Sequence, residues 1–149
     1  MIVLRPATAA DQARIVAHIR AAQINPLALN WQHFTLAVDQ ASGALVGTGQ
    51  IKTHFDGSRE LASLAVAPEW QGQGVARRLI EHLLRENPGT LYLTCRSTLE
   101  PLYARFGFSP IGPDEMTPYF RRLFKVVRVL RPLIRRGGRV TLSVMKRDA

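Results

Sequence analysis

The stretch Gln71-Gly72-Gln73-Gly74-Val75-Ala76 decides how this chain is read. Before it, Glu60 to Ala67 is a mostly apolar run that suits a central strand. After it, Val75 to Arg85 carries Val75, Leu79, Ile80, Leu83 and Leu84 at helical spacing, and Pro88-Gly89 ends that helix. The six residues therefore join a strand to a helix start. A helix start has N–H groups without intrahelical partners and a partial positive charge, so it holds anions, phosphates above all. Gly72 and Gly74 permit close backbone approach and unusual dihedrals, and Arg77 and Arg78 bring charge to the first turn. Other phosphate motifs fit less well. A P-loop ends in Gly-Lys-Ser/Thr, which is absent here. A dinucleotide fingerprint wants a small residue where Arg77 stands. A glycine-rich helix cap with no ligand is the plain alternative.

On either side the elements alternate. Met1 to Arg5 reads as a strand. Thr8 can cap a helix over Ala9 to Ala22, with Ile15, Val16 and Ile19 at helical spacing. Pro26 and Asn30 punctuate a short helical or loop segment. Phe34 to Val38 and Leu45 to Thr53 are strands, joined through the turn composition of residues 39–44. His54 to Ser58 is a second turn. Leu91 to Cys95 is a strand, Leu99 to Phe106 a short helix stopped by Gly107, and Phe108 begins an extended piece. Thr117-Pro118 opens a basic amphipathic helix that runs to about Arg131, before Pro132. Gly137-Gly138 turns into a last strand, Val140 to Met145. The pattern is α/β around one mixed sheet, and residues 1–149 read as a single domain.

The charge narrows the ligands. Twenty Lys and Arg face eleven Asp and Glu, for a net charge of +9. Half of the basic residues lie in the last 29 positions, from Arg121 to Arg147, and Asp148 is the only acid in that segment. Such a field attracts anions: cofactor phosphates, acidic substrates, nucleic acid or a membrane surface. No apolar run is long enough to span a bilayer, and Met1 to Pro6 lacks the layout of a signal peptide, so cytoplasmic is the default expectation. One cysteine, Cys95, forms no internal disulfide and suits a buried strand. His18, His33, His54 and His82 are scattered singly, so no metal site is expected.

Residues 60–76, with Gln71, Gly74 and Ala76 in the pattern Gln/Arg-x-x-Gly-x-Gly/Ala, resemble the core of the GNAT superfamily of N-acetyltransferases. The run Leu102-Tyr103-Ala104-Arg105-Phe106-Gly107-Phe108 resembles a second element of that family. The resemblance implies a GNAT fold: a splayed, mixed, mostly antiparallel sheet flanked by helices, here with an extra basic helix before the last strand. It implies acetyl-CoA as co-substrate and no metal. Its pantetheine arm would lie along Leu64, Ala65 and Val66, near a bulge, and its pyrophosphate on the amides of Gln71, Gly72, Gln73, Gly74, Val75 and Ala76, beside Arg77.

The same resemblance implies roles. An amine arrives mostly as ammonium and must lose a proton before attacking a thioester. Glu60 matches the glutamate base of several family members. Tyr103 matches the tyrosine that protonates the departing thiolate, and the N–H of Val66 would steady the oxyanion. With no cysteine placed to carry the acyl group, transfer is expected directly in a ternary complex. The acceptor would be a small-molecule amine, amino acids included, or a peptide amine, bound by residues 23–34 and 108–145. Leu93 to Ser97, Tyr103 to Phe108 and the basic helix together look similar to the acetyltransferase domain of N-acetylglutamate synthases, which puts an acidic amino acid among the acceptors. Dimers are common in the family; nucleic acid is not the expected partner. A non-catalytic acyl-CoA-binding protein, or a basic docking module for nucleic acid or membrane, is the alternative class.

Overall fold

The computed structural model describes residues 1–130 and 141–148. The elements are β1 (Ile2–Pro6), α1 (Gln12–Ala21), β2 (Phe34–Asp39), β3 (Leu45–Thr53), β4 (Arg59–Val66), α2 (Val75–Glu86), β5 (Leu91–Arg96), α3 (Glu100–Ala104), β6 (Ser109–Pro110), α4 (Pro118–Leu130) and β7 (Leu142–Arg147). The strands form one open seven-stranded sheet in the order β1-β2-β3-β4-β5-β7-β6. The pairs β1–β2, β2–β3, β5–β7 and β6–β7 are antiparallel, and β4–β5 is parallel, with Glu60 opposite Tyr92. This is the mixed, mostly antiparallel α/β sheet expected.

The chain forms two compact units, residues 1–52 with 61–88, and residues 53–60 with 89–149. In the first, Ile15 and Ile19 of α1 pack on Phe34 and Leu36 of β2, while Val75 and Leu79 of α2 pack on Ala37 and Val46. Burying each such side chain contributes about 1.5–3 kcal/mol. Glycines let α2 approach β3 closely. A Cβ on Gly47 would sit 3.0 Å from Leu79 and Val75, and one on Gly49 would sit 2.8 Å from Leu83. Of the expected inner face of α2, Leu84 is only half-buried; the other four are buried. In the second unit Tyr92, Met116, Phe120 and Val144 form the core, with Leu123 and Phe124 packed against them.

Several boundaries differ from the sequence reading. A separate 3-10 turn, Ala9–Asp11, precedes α1, because Asp11 Oδ2 accepts from both the N–H and hydroxyl of Thr8 at 2.8 and 3.1 Å. The punctuated segment after α1 ends in a 3-10 turn, Trp31–His33, capped by Asn30. The last strand runs to Arg147 rather than Met145, held at that end by pairing with Leu91. At the end of α4, Val126, Val129 and Leu130 are exposed. The expected helix end at Arg131, the turn at Gly137-Gly138 and the strand start at Val140 lie outside the described residues.

Candidate active site

In the first unit the candidate cofactor residues follow one another along β4, the turn and α2. Ser63 takes φ +56°, a left-handed conformation inside a strand. Such backbone costs about 1–2 kcal/mol in a residue with a Cβ. Two fully buried side chains of β3 hold it: Thr48 Oγ1 donates to the Ser63 carbonyl at 2.8 Å, and Gln50 Nε2 donates to Ser63 Oγ at 2.7 Å. The break in strand geometry falls just before Leu64, Ala65 and Val66, where a bulge was expected. The carbonyl of Ala65 contacts His18 Nε2 at 3.0 Å, and that of Val66 accepts from Gln71 Nε2 at 3.2 Å.

The turn itself has the geometry that its glycines allow. Gly72 has φ +77° and Gly74 φ +81°, and a Cβ at either would meet nothing within 4 Å. Gly74 is the residue before the first turn of α2, and its carbonyl accepts from Arg78 N–H at 3.1 Å. Gln71, Gly72, Gln73 and Gly74 are exposed, Val75 is buried and Ala76 is half-buried. Gln73 Nε2 donates to the Glu69 carbonyl at 3.2 Å. Arg77 is exposed, and its guanidinium is paired with Glu81 at 2.8 Å.

In the second unit the structure places Glu60 in company that the sequence did not reveal. Glu60 is buried, and its Oε1 lies 2.8 Å from His54 Nε2. The His54 ring is stacked on Tyr119 and lies perpendicular to the Phe120 ring, with centroids 5.7 Å apart and planes at 89°. The turn between them is closed by His54 N–H on the Ser58 carbonyl at 2.9 Å. Asp56 in that turn accepts from Ser58 N–H and Oγ on one oxygen, and from Tyr119 N–H on the other. Burial raises the Tyr119 phenol above its ordinary value, and the charges of Glu60 and Asp56 add to that. Along the sequence His54 is one of four scattered histidines. The hairpin brings it to Glu60 across a five-residue turn, a pairing that a strict reading of β3 and β4 as one hairpin would have found.

Tyr103 lies in the last turn of α3, half-buried, edge-to-face with Phe108 at 6.3 Å and 77°. Burial, with a smaller effect from Cys95, pushes its phenol up to about 12. The Tyr103 carbonyl accepts from Phe106 and Phe108 N–H, which folds α3 back at Gly107. Ser143 of β7 donates to the Glu100 carboxylate and Arg147 Nε donates to the Phe106 carbonyl at 2.8 Å, so α3 is tied to β7 at both ends. Cys95 is buried against Met145. Trp31 is half-buried on the core around Phe34. Among the described residues no helix is long and apolar enough to cross a membrane.

The fold is that of acetyltransferases already solved. It superposes on N-acetylglutamate synthase from Neisseria gonorrhoeae, solved with coenzyme A and N-acetyl-glutamate, with a TM-score of 0.75 and 21% identity over 99% of this chain. It superposes on Rv2747 from Mycobacterium tuberculosis, solved with CoA, at 0.73 and 20% over 99% of both chains. The ribosomal-protein-S18-alanine N-acetyltransferase from Escherichia coli gives 0.68 and 19%, over 99% of this chain and 94% of that one. The chain spans only 35% of the N-acetylglutamate synthase. No curated protein sequence matches it. Residues 30–110 match the model of the acetyltransferase (GNAT) domain. That is more than half of the sequence, and the chain belongs to the GNAT acetyltransferase family.

Proposed function

We propose that the protein transfers the acetyl group of acetyl-CoA directly to a primary amine. The observation that carries this is the turn after β4, where two left-handed glycines in open space lead into the first turn of α2. The amides of Gln71 to Ala76 receive the pyrophosphate, Arg77 adds charge at the rim, and the Leu64–Val66 strand receives the pantetheine. The match from 30 to 110 draws on both compact units, which supports reading residues 1–149 as one acetyltransferase domain.

Glu60 takes the proton from the substrate ammonium, directly or through water. The freed nitrogen attacks the thioester carbon, and the Val66 N–H steadies the resulting oxyanion. Collapse breaks the carbon–sulfur bond, and Tyr103 gives its proton to the CoA thiolate. A phenol held near 12 keeps that proton at neutral pH, which supports the donor role. The first acceptors to try are amino acids, acidic ones among them, because the fold is shared with an enzyme solved with N-acetyl-glutamate and the chain is strongly basic.

A thiol-release screen of acetyl-CoA against amino acids, polyamines and N-terminal or lysine peptides tests the reading. Release of CoA with one acceptor class, together with acetylated product by mass spectrometry, is the expected result. Tight acetyl-CoA binding without release for any amine would favour the non-catalytic acyl-CoA-binding alternative. Binding to anionic polymers or vesicles without acetyl-CoA binding would favour the docking module.

A further inference from the structure

We infer that His54 is a positioning residue for Glu60: it holds one carboxylate oxygen so that the other is free to take the proton from the amine. The inference rests on Glu60 as the base. Its own ground is geometric. The imidazole Nε2 and the carboxylate Oε1 are 2.8 Å apart, and both side chains are about nine-tenths buried. The stack on Tyr119 and the edge contact with Phe120 leave His54 little rotational freedom. The closed turn from His54 to Ser58 fixes its backbone.

A buried carboxylate without a hydrogen-bond partner would be costly to ionise. An imidazole N–H aimed at one oxygen removes that cost and leaves the second oxygen for the substrate. The steps then balance. An ammonium N–H bond breaks, and its proton passes to the Glu60 carboxylate. The proton stays on that second oxygen until it leaves to solvent, while the His54 N–H keeps its bond to the first. The titratable groups that face the pair are Asp56 in the turn, Tyr119 on α4 and Tyr92, which lies opposite Glu60 on β5. Asp56 already spends its oxygens on Ser58 and Tyr119, which leaves His54 as the side chain bonded to Glu60.

The test compares His54→Gln, which keeps an N–H donor and does not titrate, with His54→Ala, which keeps neither, in the full chain. Acetyl-CoA affinity, measured by calorimetry, reports that each variant is folded. His54→Ala should lower kcat about 10- to 100-fold with little change in KM for acetyl-CoA. His54→Gln should recover part of kcat, while in His54→Ala the acidic limb of the kcat/KM profile should move to higher pH, because the carboxylate loses a hydrogen bond that favours its charged form. In the Glu60→Gln background, His54→Ala should cost no further activity. If Glu60→Gln lowers turnover and both His54 variants keep the wild-type profile, the inference is overturned and the base assignment stands. Unchanged turnover in Glu60→Gln removes the base assignment and the inference with it. Should His54→Ala fail to bind acetyl-CoA, His54→Phe, which keeps a ring to stack on Tyr119 but no donor, decides in its place by the same loss of kcat and shift of the acidic limb.

Discussion

Asp56 Oδ2 accepts the backbone N–H of Tyr119 at 2.9 Å, so a carboxylate from the turn after β3 caps the first turn of α4. The cap comes from a residue 63 positions earlier, and it also supplies the negative charge that a helix N-terminus favours. Removing it by Asp56→Ala should lower stability by about 1–2 kcal/mol, read as a shift in the urea midpoint. Asp56→Asn keeps an acceptor and should lose less. Equal losses in both variants would show that the charge, rather than the acceptor, supplies the effect.

The same carboxylate predicts acid sensitivity. Burial disfavours the charge on Asp56, but the hydrogen bonds from Ser58 and Tyr119 outweigh it and hold the carboxyl well below its usual range. Asp11 is held low chiefly by the Arg5 guanidinium, against burial, with help from Thr8 and Arg14. Both groups therefore bind protons more weakly folded than unfolded. Their contribution is complete above the ordinary carboxylate value of about 4 and is lost as pH falls below it. Calorimetric Tm between pH 7 and 2 should stay level and then drop below about pH 4. In Asp11→Asn combined with Asp56→Asn, that drop should flatten.

Tyr103→Phe should cut turnover about 100-fold without abolishing acetyl-CoA binding, because it removes the proton offered to the thiolate. Glu60→Gln should do the same at the other end of the reaction. Steady-state kinetics beside calorimetry separates the two quantities, and wild-type kcat in either variant removes that residue from the mechanism. The buried Tyr103 phenol, raised to about 12, also stabilises the fold only while neutral. That contribution is complete below pH ~10 and is lost as pH rises toward the folded value.

Gly74→Asp should weaken acetyl-CoA binding by at least tenfold. It sets a negative charge where phosphates are expected, at a position of φ +81° that disfavours any side chain. Gly74→Ala separates these effects. Its Cβ meets no neighbour in the protein, so it should cost about 1–2 kcal/mol of stability for the backbone alone. Calorimetry with wild-type affinity in the aspartate variant would refute the phosphate assignment.

Thr48→Val removes the hydroxyl that bonds the Ser63 carbonyl and should destabilise the protein by about 1–3 kcal/mol. If the left-handed Ser63 is what aims Leu64 to Val66, acetyl-CoA affinity should fall in the same variant. A stability loss with unchanged affinity would make Ser63 a purely structural feature.

The sequence by itself determined the strand–glycine–helix unit around residues 60–86, since apolar spacing and glycine placement are local properties of consecutive residues. It determined the family for the same reason: Gln71, Gly74 and Ala76 lie within one short window. It also placed α4, with Pro118 at its first position. Only the tertiary structure decided that His54 meets Glu60, that Asp56 caps α4, and that Thr48 and Gln50 hold Ser63 in a left-handed conformation. Each of these joins side chains from different elements, or across a turn whose register sets the facing pair. A polar residue read along the chain carries no sign of the partner that burial will require of it.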